Sequence, residues 1–128
     1  ELGIEWFVVA DNDDSGAKYT QKAEQNLGDR KKEDHIHTFS HGDIETFFCV
    51  EGFGHIYEES VSPQKAGTIE AEKGTVQYWA QVAAAQPKKA KPTRMMDIVD
   101  EMDRRGSESV PNEVIDILRK CLTLAKEV

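Results

Sequence analysis

Cysteine is almost absent from this 128-residue chain, and the two present, Cys49 and Cys121, stand far apart in apolar patterns. That excludes a disulfide framework and a cysteine zinc set, and both residues read as reduced core thiols of an intracellular protein. Long apolar runs are missing as well. No stretch approaches the roughly 20 residues that cross a bilayer, and no secretory signal opens the sequence. No membrane role is therefore expected, and the expected compartment is cytoplasmic. Basic residues are in deficit, 16 Lys and Arg against 24 Asp and Glu for a net charge of −8. This argues against a protein that wraps nucleic acid by charge alone. Repeats and low-complexity segments are lacking too. What is there is a chain 31% charged and 38% apolar, with room for one modest domain or a compact domain with a helical extension.

Its most informative stretch is the run Ile4-Glu5-Trp6-Phe7-Val8-Val9-Ala10, which stops at Asp11-Asn12-Asp13-Asp14-Ser15-Gly16. The run predicts a strand buried on both faces. A helix-like segment follows, so the acids fall at the carboxyl edge of a sheet, where α/β proteins bind ligands. Strand-end residues two apart point the same way, so Asp11 and Asp13 converge. Two carboxylates about 4 Å apart repel by roughly 1 kcal/mol in water and about 4 kcal/mol at an effective dielectric near 20. A hard divalent cation reverses that sign, and Mg²⁺ is commonly held by one or two carboxylates with water and phosphate completing its shell. Asp14 or Ser15 is expected to cap the helix, and Gly16 to let its first turn approach a ligand.

Other readings of the turn stay open. An EF-hand loop matches at Asp11, Asp13, Ser15 and Gly16 but fails at its twelfth position, where Lys22 replaces the bidentate Glu. A plain strand-to-helix turn with capping acids needs no ligand at all. A phosphoryl-transfer site with Asp11 as nucleophile fits the same geometry.

Further along, residues from about Ser15 to Leu27 read as a helix ended by Gly28, with Tyr19, Ala23 and Leu27 on one face. After a polar loop, His35 to Phe39 alternates as a second strand. Strand, helix, strand implies a right-handed parallel unit. Ser62-Pro63 to Gly67 marks an expected boundary, giving an α/β core over 1–62 and a helical subdomain over 63–128. In the second half, one helix carries Val76, Trp79, Ala80 and Ala83 and stops before Pro87. The next, behind Pro92, carries Met95, Ile98, Val99 and Met102. The last, behind Pro111, carries Val114, Ile117, Leu118, Cys121, Leu122 and Ala125. These stripes are expected to be core.

Asp43 and Glu45 lie just past the second strand, at the same expected sheet edge as Asp11 and Asp13. They are candidates for a second cation, and two metals about 3.5–4 Å apart clamp an in-line phosphodiester displacement. Read blandly, they are helix N-terminal acids. Lys88, Lys89, Lys91 and Arg94 form a cationic patch suited to a polyanion, with Lys88, Lys89 and Arg94 the candidate substrate contacts. Arg30 to Lys32 reads as a solvated run. Lys91 precedes Pro92 at the positive end of its helix, placed to neutralise a scissile phosphate. His35, His37 and His55 read as structural or solvent-facing, since no third ligand completes a zinc set. His41 is a lesser candidate.

The strand Trp6-Phe7-Val8-Val9-Ala10 with Asp11-Asn12-Asp13 and Gly16, then the second strand leading into Asp43-Ile44-Glu45-Thr46-Phe47-Phe48, resembles the TOPRIM domain of the overcoming-lysogenization-defect (OLD) nucleases. Lys91-Pro92 and the Pro111-led helix resemble that family's helical tail. Of these matches, the Asp-x-Asp turn is the sharp one. The resemblance implies a TOPRIM-like parallel sheet followed by a helical subdomain. It implies a DNA endonuclease using two divalent cations, Mg²⁺ or Mn²⁺, and fused behind an ABC-type ATPase domain through which alone ATP would act. By matching position, Asp11 and Asp13 are metal ligands, Glu45 a ligand of the second metal with Asp43 nearby, and Lys91 the transition-state cation. The family's first strand and motif glutamates have no counterpart upstream of Ile4, so a further segment is expected to supply them and this chain is expected to be weakly active alone. In that scheme water activated on the Asp11–Asp13 metal attacks phosphorus, while the second cation and Lys91 stabilise the leaving oxygen. The alternatives are a primase or topoisomerase TOPRIM unit, or a non-catalytic acidic interaction module.

Overall fold

The computed structural model describes residues 4–126. The chain divides into two compact units, Glu1–Asp43 with Val110–Val128 and Ile44–Ser109. The division does not fall at the boundary expected between residues 62 and 63. The Ser-Pro signal there starts a short helix inside the second unit, and the C-terminal helix belongs to the first.

The first unit is a mixed α/β arrangement. Strand β1 (Val8–Ala10) pairs in parallel with β2 (Ile36–Thr38), with Val8 opposite Ile36 and Ala10 opposite Thr38. Helix α1 (Asp14–Glu24) connects them, so the parallel crossover expected from the order of elements is present. Only three residues of the apolar run join the ladder. Val9 is 43% exposed, which corrects the expectation of burial on both faces: successive side chains point to opposite faces of a strand, and the face that carries Val9 is left largely uncovered. His35 is buried, its Nδ1 2.9 Å from the Trp6 carbonyl and its ring 5.1 Å from the indole. Ala10, Ile36, Phe39 and Leu124 complete the small core.

The second unit is helical. Short helices α2 (Ile44–Phe48) and α3 (Gly54–Glu58) flank a wide turn over Cys49–Phe53, broken at Gly52 with φ +104°. Helices α4 (Pro63–Ala66), α5 (Val76–Ala84) and α6 (Lys91–Arg105) follow. Phe47, Phe53, Tyr57, Val82 and Ile98 form its core. Gly54 allows α3 to meet α5, because a Cβ there would lie 2.2 Å from the Trp79 ring. Thr75 caps α5 through the Tyr78 amide at 3.1 Å.

The apolar stripes are only partly core. On α6 Ile98 is buried while Val99 is exposed, and Val76 is exposed at the start of α5. On α7 (Asn112–Lys126), in the first unit, Leu124 is buried while Leu118 and Leu122 are exposed. An apolar stripe about 100° wide buries only those residues that meet another element, and the rest of it stays exposed. Among the described residues no helix is long and apolar enough to cross a membrane.

Candidate functional site

The site builds up from the end of β1. The strand stops at Ala10, and Asp13, in extended conformation at φ −143° and ψ −178°, begins α1 as its N-cap. Its Oδ1 accepts a 2.6 Å hydrogen bond from the Gly16 amide. The cap is therefore Asp13, whereas Asp14 or Ser15 was expected; Asp14 is already the first helical residue. The geometry follows from capping chemistry, in which the N-cap oxygen satisfies the amide two or three residues on. Gly16 is forced by packing. A Cβ there would lie 1.8 Å from the carbonyl oxygen of Asp11, so only glycine lets the first turn of α1 rest on the chain leaving β1.

Asp11 and Asp13 line one groove of about 560 Å³, floored by Val8 to Ala10 and walled by Ser15, Gly16 and Tyr19. The groove lies at the carboxyl end of a parallel strand, where ligands of α/β sheets bind. A carboxylate offers about four lone-pair sites, and the cap occupies one of those on Asp13. The donor set is all oxygen and all carboxylate. It fits a hard cation that keeps water and phosphate in most of its shell, and it does not fit a closed protein cage. Among the described residues no group of three or more His, Cys, Asp or Glu side chains is placed to hold a metal ion. The ready-made acidic cluster expected from Asp11, Asp13, Asp43 and Glu45 is thus not seen.

Asp43 is the last residue of the first unit's N-terminal segment, and Glu45 lies in the first turn of α2. In the helical unit the structure does bring two expected residues together. Lys91 Nζ stands 3.3 Å from Glu45 Oε1, the carboxylate side chain 13% exposed and the lysine 55%. Lys91 is the first residue of α6, at the positive end of its dipole as expected. Lys88 and Lys89 are exposed on a single 3₁₀ turn just before it. Arg94 is different: it bonds Ser60 Oγ and pairs with Asp97 at 3.3 Å. It holds its own unit together and, half-buried, is a poorer substrate contact than the lysines.

One cluster escaped the sequence reading. Glu113, in the first turn of α7, takes a 2.7 Å contact from His37 Nε2, a 3.0 Å bond from the Ser40 amide and a 2.8 Å bond from Ser40 Oγ. Burial pushes the Glu113 carboxyl up, but the bonds from His37 and Ser40 outweigh it and hold the group below the usual carboxylate range. An acid just after Pro111 was the available local signal; its partners, 73 and 76 residues away, leave no local trace. Tyr19, on the helix face expected to carry Ala23 and Leu27, is 64% exposed and lines the groove.

Fold and site define a mixed α/β protein with a small parallel sheet whose carboxyl edge carries an acidic groove. No protein-family model matches the chain, and no solved structure matches it. A curated protein of Escherichia coli (strain K12), described as the uncharacterized protein YbjD, is 27% identical to it over 127 residues. That similarity covers 98% of this chain, which spans only 22% of the length of that relative.

Proposed function

We propose that the chain is a TOPRIM-like catalytic region of a metal-dependent DNA endonuclease, working within a larger ATPase-nuclease. The observation that supports this most is the shared groove of Asp11 and Asp13 at the carboxyl end of β1, with Gly16 letting the first turn of α1 rest against the Asp11 carbonyl. A bound divalent cation would supply Lewis-acid polarisation of a phosphoryl oxygen and a more acidic water. The chain's own part is to bind and orient. Asp11 and Asp13 give a fixed anionic edge, and the Asp13 cap locks its rotamer. Lys91, pinned by Glu45, offers a positive charge for phosphate, and the resemblance assigns Glu45 and Asp43 to a second cation. The ATPase domain and the family's motif glutamates would come from elsewhere in the parent protein.

A specific observation favours a second reading. Asp13 already has structural work as a cap, as a non-catalytic acidic interaction module would require. Asp13→Asn separates the two, because asparagine caps as well as aspartate while lacking its charge. Under the nuclease reading, cutting of plasmid DNA in Mg²⁺ or Mn²⁺ by the parent protein falls at least 100-fold in Asp13→Asn and Asp11→Ala, with thermal stability of Asp13→Asn unchanged. Lys91→Ala is expected to lower cutting as well. Full cutting by both aspartate variants would leave only the interaction module.

A further inference from the structure

The groove that holds Asp11 and Asp13 does not end at the acids. Tyr19 also lines a second cavity of about 550 Å³, together with Ser15, Lys18 and Lys22. Ser15 and Tyr19 border both spaces. Ser15, Lys18, Tyr19 and Lys22 fall at i, i+3, i+4 and i+7, so they form one face of α1. An aromatic ring 64% exposed in the middle of that face has no core to fill. Lys18 and Lys22 are exposed and make no ion pair among the described residues. Resting on the nuclease reading for the identity of the ligand, the geometry points to this face as a track for unpaired DNA, with Tyr19 as a base-stacking platform and Lys18 and Lys22 as phosphate contacts.

Three features argue for that occupant. Proteins that hold single strands combine aromatic platforms with cations along the backbone, and this face has both in alternation. From Ser15 to Lys22 the helix rises about 10 Å, close to three nucleotide steps at the stacked spacing of about 3.4 Å per strand. Along α1 the order is Lys22, Tyr19, Lys18 and Ser15, with Asp13 capping the helix start, so a strand seated on this face runs toward the acidic edge. A rigid duplex buries its base faces and offers nothing for the ring to stack on. The track therefore selects a frayed or unpaired stretch beside the bond to be cut, and Tyr19 is a positioning residue for that stretch.

The test is fluorescence anisotropy of a labelled twelve-nucleotide single strand with the full chain, at low salt in EDTA so that nothing is cut. Tyr19→Ala is expected to weaken binding by roughly 5- to 150-fold, the range of one base stacked on an aromatic ring. Tyr19→Phe is expected to restore it. The same Tyr19→Ala change is expected to leave binding of an abasic strand, and of a duplex, as in the wild type. Lys18→Ala with Lys22→Ala is expected to lower the slope of log affinity against log salt by about 1.4, two phosphates' worth on a single strand. Alanine is compatible with both exposed helical positions, and circular dichroism melting checks that the variants stay folded. No binding of the single strand, equal binding by Tyr19→Ala, or an equal loss on the abasic strand would each overturn the track. Loss of cutting in Asp11→Ala with none of these Tyr19 effects would sink the track and spare the nuclease reading. The Tyr19 effects without any metal-dependent cutting would do the reverse.

Discussion

Single residues decide whether the groove exists. Gly16→Ala places a methyl group against a backbone carbonyl that cannot rotate away, since a Cβ there lies 1.8 Å from Asp11 O. Overpacking of this kind costs about 1–3 kcal/mol, and the strain falls on the turn that carries both candidate ligands. Urea unfolding of Gly16→Ala is expected to show a loss in that range, together with weaker binding of Mn²⁺ by calorimetry. An unchanged midpoint would mean that the turn relaxes freely. In the helical unit, Tyr78 shows a different dependence on a single contact. Its hydroxyl donates to Glu58, and that bond first, then burial and the Glu58 charge, raise its pKa from 10.0 to about 12. A raised folded-state value means the stabilisation is whole below pH 10 and is lost as pH climbs through about 12. Glu58→Gln is expected to bring the phenolate absorbance titration of Tyr78 back toward its ordinary range, with Tyr78→Phe marking its contribution. At this scale the sequence made Asp11, Asp13 and Gly16 legible, because a strand end followed by acids and glycine is a local pattern. It did not tell which acid or hydroxyl caps α1, since Asp13, Asp14 and Ser15 are all capping residues and only the fold brings Asp13 to the Gly16 amide.

Among elements, α7 shows what local patterns leave out. Its apolar spacing announced a helix, but not that its first turn would be tied through Glu113 to His37 and Ser40 at the end of β2. Contacts across 73 and 76 residues are set by tertiary packing, which periodicity does not encode. The same reason explains the boundary expected at 62/63, since a Ser-Pro pair marks a helix start whether or not a unit begins there. The parallel pairing of β1 and β2 through α1 was legible because strand, helix and strand follow directly in sequence. The Glu113 carboxyl titrates below its ordinary value of about 4.3, so its stabilisation is complete above that range and drains away as pH falls through the folded-state value. Glu113→Ala is expected to cost about 1–3 kcal/mol, the worth of hydrogen bonds to a charged group that is partly exposed. It is also expected to flatten the acid limb of a stability-against-pH curve measured by denaturant unfolding. A variant as stable as the wild type across that limb would show that the cluster does not anchor α7.

For the whole molecule, the net charge of −8 opposes any polyanion, and the candidate site concentrates part of that charge on the acidic edge where a phosphate would sit. Local cations oppose it only in part, because exposed charges more than about 10 Å apart are largely screened at 0.1 M salt. Divalent cations change this balance at two levels. They weaken the general repulsion of an acidic protein, an effect any divalent salt produces. Held by Asp11 and Asp13, as proposed, they would also convert the groove itself from repelling to attracting phosphate. The two contributions separate in the double variant Asp11→Asn with Asp13→Asn, which keeps the cap and removes two charges. Wild-type binding of a short DNA duplex at fixed ionic strength is expected to tighten about tenfold or more, near 1.4 kcal/mol, when EDTA is replaced by Mg²⁺. The double variant is expected to bind more tightly than the wild type in EDTA, because two repelling charges are gone. It is also expected to gain less than half as much, in free energy, from Mg²⁺. Equal gains in both proteins would assign the whole effect to screening and leave the aspartates without a metal.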